Sequence, residues 1–269
     1  MKPRTKIGLA LGSGGARGLA HIGVLQMLQR NEVPISHIAG SSIGALVGAL
    51  FAVWGDADRI ENFFIKEISG RRGVKLFDPS FHGGIMHGEK ITKVLQTAIG
   101  DIEFSDLSVP LAIVATNFES GDPFVFKKGR VVEALRASFG IPPFFEPVRI
   151  GQQTYVDGGL SNPVPDDVVR SFGATCVIAV DVESRIPNTV KIKATLISTM
   201  LQALSIARRN FALSTTRSSD ILIEPPIAHN LIVGFGDFLD QDRTKSLIAS
   251  GRNATRLKLP GILKLRDRS

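Results

Sequence analysis

The chain has 269 residues, 43% of them hydrophobic and 21% charged, which excludes a disordered segment and supplies a core for one α/β domain spanning 1–269. A single cysteine, Cys176, excludes a disulfide framework and a multi-cysteine zinc site, and fits a reducing, cytoplasmic compartment. The net charge of +7 is concentrated at the ends, where residues 1–6 carry +3 and residues 252–269 carry +5, so the body from 7 to 251 sums to −1. With one Trp and one Tyr, that body lacks the basic face and aromatic platforms of a nucleic-acid binder. The basic ends are read as solvated segments or as a weak attraction to an anionic membrane surface.

The first predicted strand, 6–11, runs into Gly12-Ser13-Gly14-Gly15-Ala16-Arg17-Gly18 and then a helix over 18–31. The apolar run 7–11 is shorter than a secretory h-region and is soon interrupted by Arg17. The glycines allow close backbone approach and the helix start points N–H groups at an anion. A dinucleotide fingerprint would need a glycine where Arg17 stands and an acid about 20 residues on, and a P-loop would need a lysine; neither is present. Two readings of the loop stay open: donors for an oxyanion that develops during reaction, or a tight strand-to-helix turn.

From Val33 to Gly55 there is no formal charge, but the continuous mostly apolar run, 43–54, is well short of the ~20 residues that span a bilayer. Inside it a short strand, 38–39, precedes Gly40-Ser41-Ser42-Ile43-Gly44, and a helix over 42–53 follows. This is G-x-S-x-G in its required strand–turn–helix context, which exposes Ser42 at a helix N-terminus as a nucleophile candidate.

Further along, 81–88 (Phe-His-Gly-Gly-Ile-Met-His-Gly) reads as a glycine-hinged flap or a plain connector, and 89–99 as a helix. Strands follow at 111–116 and 124–126, and a helix at 131–138. The run 139–145, rich in Phe and Pro, is read either as a wall of an acyl-chain groove or as core packing. A strand over 154–156 ends at Asp157-Gly158-Gly159; Asp157 is either a base for Ser42 or an Asp-Gly turn residue. As a base it must have its proton affinity raised by partial burial. A helix over 165–171, a buried strand over 176–181 holding Cys176, an amphipathic helix over 196–214 and a strand over 221–224 complete the pattern. Alternation of strands and helices predicts a three-layer α/β/α fold with a mostly parallel central sheet and a site at the strands' carboxyl ends. His21, His37, His82 and His87 show no metal spacing, so no metal is expected, and nothing asks for a cofactor.

The motifs Gly14-Gly15-Ala16-Arg17-Gly18, Gly40-Ser41-Ser42-Ile43-Gly44 and Asp157-Gly158-Gly159-Leu160-Ser161-Asn162-Pro163, with Ala115-Thr116-Asn117 and Ala137-Ser138-Phe139-Gly140-Ile141-Pro142 between them, resemble the patatin-like phospholipases. Within that family they are most similar to bacterial proteins akin to the neuropathy target esterase catalytic domain. The resemblance covers roughly 6–185; residues 186–269 carry no matching motif. One departure is Ser13, where many members have glycine, a side chain small enough for the loop edge. The resemblance implies a lipid acyl-ester hydrolase of the phospholipase A or lysophospholipase type, with a Ser42–Asp157 dyad and an oxyanion hole on Gly14, Gly15 and Ala16. Its partners would be a lipid ester substrate and, peripherally, a membrane surface. Arg17 is read as reaching a lipid phosphate or, more simply, as a salt bridge on its helix. Two rivals stand beside this: a Ser42–His229–Asp157 triad in α/β-hydrolase order, and a non-catalytic lipid- or partner-binding module on the same fold.

Overall fold

Aliphatic runs make the sheet. In a computed structural model that describes residues 5–80, 83–183, 195–215, 218–227 and 236–267, Ile7–Leu11 form β1, buried along its whole length. A 3₁₀ turn (Gly15–Leu19) and α1 (Ala20–Arg30) follow, then β2 (Ile35–Ser41) and α2 (Ile43–Trp54). Next come α3 (Ala57–Phe63), a π turn (Phe64–Ile68), α4 (Gly70–Val74), α5 (Glu89–Ile99), β3 (Leu111–Asn117), β4 (Pro123–Phe126) and α6 (Val131–Ser138). The remainder is β5 (Val148–Ile150), β6 (Gln153–Asp157), α7 (Asp166–Ser171), β7 (Cys176–Val180), α8 (Leu196–Thr215), β8 (Ile221–Ile223), α9 (Gly236–Leu239) and α10 (Gln241–Arg266).

The strands form one eight-stranded sheet in which each strand is hydrogen-bonded to the next in the series β5-β6-β3-β2-β1-β7-β8, and β4 also pairs with β3. Neighbours from β3 to β8 pair in parallel; β4, β5 and β6 make the antiparallel part. Because side chains alternate across a strand, Ile7, Leu9 and Leu11 enter a core with α1, α2 and α10, whereas Ala10 faces Val168 and Val169 of α7 and Ala212 of α8. Both faces are therefore covered, which gives the expected α/β/α layers. Cys176 begins β7 and packs half-buried against the core, as a structural residue.

Besides the short β5 and α9, two larger parts differ from the sequence reading. The stretch 57–74 is helical, with Ala57, Ile60, Phe64 and Ile68 buried at helical spacing. The basic end from 252 is not a solvated tail: it belongs to α10, which crosses α1 so closely that a Cβ on Gly23 or Gly251 would overlap the backbone of Ile248 or Ala20. Two of its cations serve that packing, Arg252 donating to Gln26 Oε1 at 2.6 Å and Arg266 to the Asn31 carbonyl at 3.0 Å, while Arg256, Lys258 and Lys264 are exposed. Among the described residues no helix is long and apolar enough to cross a membrane.

Candidate active site

Strand register brings Ser42 and Asp157 together. Val114 of β3 pairs with Ser41 on one side and with Val125 on the other; Ala115 pairs with Asp157 and with Phe124. Since β4 occupies one edge at both positions, β2 and β6 share the opposite edge and run toward each other along it. They stop where they meet, one at Ser41 and the other at Asp157. Ser42 Oγ, one residue past the end of β2, donates to Asp157 Oδ2 at 2.6 Å.

The elbow at Ser42 is held sterically. Ser42 has φ 55°, a conformation rare for a side-chain-bearing residue. A Cβ on Gly40 would lie 2.5 Å from Ala45 N, and one on Gly44 2.6 Å from the Gly12 carbonyl oxygen, so glycine is required on both sides. The Ser42 N–H donates to Ser138 Oγ at 2.8 Å, and Ser138 Oγ–H donates to the Val114 carbonyl at 2.6 Å. Ser138 lies in the motif run 137–142, but no feature of the sequence assigns it this bracing position.

Asp157 is fully buried and Ser42 is 7% exposed. The second carboxylate oxygen, Oδ1, accepts the Gly159 N–H at 2.8 Å, which fixes the rotamer that aims Oδ2 at Ser42. Burial raises the proton affinity of Asp157 above the ordinary carboxylate value; the charge of Arg208 and the hydrogen bonds from Ser42 and Gly159 work against that rise, while Glu183 adds to it. Arg208, on α8, pairs with Glu183 Oε1 at 2.8 Å, and Arg17 pairs with the same oxygen at 3.1 Å, all three side chains being more than nine-tenths buried. Asp181, also buried, is pushed up to about 6 by desolvation. Arg17 is thus a salt-bridge residue, with its partner just past β7 rather than on its own helix. Neither Glu183 nor Arg208 is legible in advance, since their partners lie far away in the chain.

Arg17 also organises the glycine-rich loop. Its Nε donates to the Gly14 carbonyl at 3.2 Å, and in a trans peptide the N–H of Gly15 then points the opposite way. Gly14, Gly15 and Ala16 precede the first intrahelical donor of the 3₁₀ turn, and no backbone hydrogen bond among the described residues uses their N–H groups. Ser13 is not at an exposed edge: it is buried, donates its N–H to the Pro163 carbonyl at 2.8 Å, and packs against Gly159. His21, fully buried on α1, bonds the Gly12 carbonyl through Nε2 at 2.8 Å, and burial lowers it to about 4, so the neutral ring donates.

An apolar cavity of about 110 Å³ opens beside Gly15 and Ser42. Phe139, Ile141 and Phe145 contribute to its wall, as do Phe64, Ile68 and Leu95, so residues of the run 139–145 line a cavity as well as packing on the core. Loop 83–88 is laced to this wall: the Ile85 and Met86 N–H groups donate to the Pro143 and Phe144 carbonyls at 2.9 and 2.7 Å. His229 lies outside the described residues, as do positions 81 and 82. Among the described residues no three His, Cys, Asp or Glu side chains group as for a metal.

A family model described as patatin-like phospholipase matches residues 9–169, from β1 through the Ser42 elbow and Asp157 into α7. An uncharacterized NTE family protein of Mycobacterium tuberculosis is 38% identical over 178 residues, which is 65% of this chain and 48% of the relative. Neuropathy target esterase of Drosophila melanogaster is 30% identical over 187 residues, 66% of this chain and 13% of the relative. The chain thus spans about half the length of the former and far less of the latter. Among solved structures, VipD from Legionella pneumophila superposes with a TM-score of 0.61 at 15% identity, covering 96% of this chain and 67% of that one, a likeness of fold. Because the family match runs through all three motifs that frame Ser42 and Asp157, the chain belongs to the patatin-like phospholipase family.

Proposed function

We propose that residues 1–269 form one hydrolase domain that cleaves acyl esters of lipids, with phospholipids or lysophospholipids as substrates. The observation that carries this reading is the direct 2.6 Å hydrogen bond from the Oγ of Ser42, a residue that lines an apolar cavity, to a fully buried carboxylate. The Ser42 oxygen attacks the ester carbonyl as its proton passes to Asp157 Oδ2. Negative charge developing on the carbonyl oxygen is taken by the N–H groups of Gly14, Gly15 and Ala16, with the dipole of the helix start adding to them. Asp157 returns the proton to the leaving alcohol, and the acyl chain remains on Ser42 within the cavity. Water, deprotonated by Asp157, then attacks the acyl-enzyme; the fatty acid leaves and Ser42 regains its proton. No histidine is needed in this sequence of steps, because burial gives the carboxylate the basicity that water would deny it.

The test is hydrolysis of a soluble short-chain ester as a function of pH. Only ionised Asp157 is a base, so the rate rises as pH rises through its folded value. Burial places that limb above the ordinary carboxylate value of 3.8, and Arg208 holds it down. Arg208→Met is therefore expected to move the acid limb to higher pH, with little change in the plateau. A folded protein without hydrolysis at any pH contradicts the reading; a limb that stays put in Arg208→Met contradicts the electrostatic part alone.

A further inference from the structure

The segment 66–77 supports an inference that rests on the lipid-ester reading and extends it to how the substrate is reached. Most of the cavity's lining is buried, Leu76 included, and Leu76 reaches it from a short stretch between α4 and α5. The side chains that bracket Leu76 point the other way: Val74 is 60% exposed and Phe77 45%. Other large apolar side chains are exposed elsewhere; what distinguishes these two is that they flank a cavity-lining residue. The same stretch is strongly basic, with Lys66, Arg71, Arg72 and Lys75 against Glu67 alone, and Arg72 is 2.6 Å from Glu67. Arg71, Arg72 and Lys75 are all exposed. Lys90, at the start of α5, donates to the Phe77 carbonyl at 2.9 Å and adds another exposed cation beside Ile91, which lines the cavity.

Apolar side chains standing out among cations suit one partner chemistry. At an anionic bilayer the cations meet lipid headgroups while Val74 and Phe77 enter the acyl boundary, as interfacial segments do. We propose that residues 70–77 with Lys90 are the surface by which this protein docks on an anionic lipid bilayer. On that surface the cavity rim faces the membrane. An acyl chain leaving the bilayer can then pass Leu76 and Ile91 toward Ser42 without crossing water, which avoids the cost of wetting each methylene. This attachment is separate from the basic chain end, where Arg252 and Arg266 are used inside the fold and Arg256, Lys258 and Lys264 are exposed on α10.

The experiment is co-sedimentation of the full chain with vesicles of phosphatidylcholine alone and of phosphatidylcholine with phosphatidylglycerol, alongside hydrolysis of a soluble short-chain ester. Wild-type protein is expected to partition onto the anionic vesicles and to be released by salt. R71E/K75E and V74D/F77D are each expected to lower that partitioning at least ~10-fold, while melting normally and hydrolysing the soluble ester at the wild-type rate. Wild-type protein that ignores anionic vesicles, or double variants that bind them undiminished, would overturn the proposal. The two readings fail separately: S42A that sediments like wild type while all proteins leave the soluble ester intact would remove the hydrolase reading and keep the docking surface.

Discussion

Asp157→Asn is expected to lower turnover of a soluble ester by ~10²–10⁴-fold, the range attributed to a positioned general base, in a protein that still folds. Asparagine has the shape of aspartate, and its amide oxygen can keep the bond from the Gly159 N–H that Oδ1 now accepts at 2.8 Å. That choice turns the amide nitrogen toward Ser42 Oγ, where a donor stands in place of the acceptor at 2.6 Å. The serine then keeps its proton and stays a weak nucleophile. Ser42→Ala removes the attacking atom and should leave only the background rate. Steady-state kinetics with circular dichroism on the same samples decide the matter. If Asp157→Asn retained near-wild-type kcat, the base would lie elsewhere, and His229→Ala would become the variant to measure.

The second large effect is on folding. Gly44→Ala is expected to destabilise the protein by about 3 kcal/mol or more, because its Cβ would sit 2.5 Å from the Leu11 carbonyl carbon and 2.6 Å from the Gly12 oxygen. Both are backbone atoms where β1 enters the glycine-rich loop, so no rotamer change relieves the overlap and either α2 or that loop must shift. For a chain of this size the loss corresponds to a melting temperature lower by at least ~6–12 °C, and turnover should fall with it because Ser42 and Gly14 lie on the two sides of the contact. Gly236→Ala is the control: nothing lies within 4 Å of a Cβ there, and its melting temperature should stay close to wild type. Equal melting for both variants would mean that the elbow is looser than its geometry implies.

Much of this architecture was readable from local pattern. The runs that became β1, β3 and β7 are buried on both faces and read as continuous aliphatic segments. Ser42 and the glycines around it were readable because a sharp elbow leaves so few residue choices. Asp157 was ambiguous, since an Asp-Gly turn has the same spelling; its role depends on β6 ending where β2 ends, a register that pairing across β3 determines. The helix α10 was hidden for a different reason. Its core-facing stripe includes Thr244, Gly251, Ala254 and Thr255, small or polar residues of which Gly251 is required by the close crossing with α1 and Thr244 meets Ser69, and Pro260 interrupts the pattern. The pairing of Arg17 and Arg208 on Glu183 joins three distant segments, and no spacing rule reports such a contact. The docking surface was readable only in part, for the charges of 66–75 are plain in the sequence while the outward turn of Val74 and Phe77 around Leu76 is not.

The central claim is that Asp157 activates Ser42. The most direct measurement is labelling of the purified protein with a fluorophosphonate probe, followed by fragmentation mass spectrometry that separates Ser42 from its neighbour Ser41. Ser41 is buried and its Oγ donates to the Asn162 carbonyl at 2.5 Å, so it should stay unlabelled. The account predicts one adduct, on Ser42, formed quickly by the wild type and at least ~10²-fold more slowly by Asp157→Asn. No adduct on a folded protein would contradict it and favour a lipid- or partner-binding module on the same fold; an adduct that forms equally fast without the carboxylate would contradict it and place the base elsewhere.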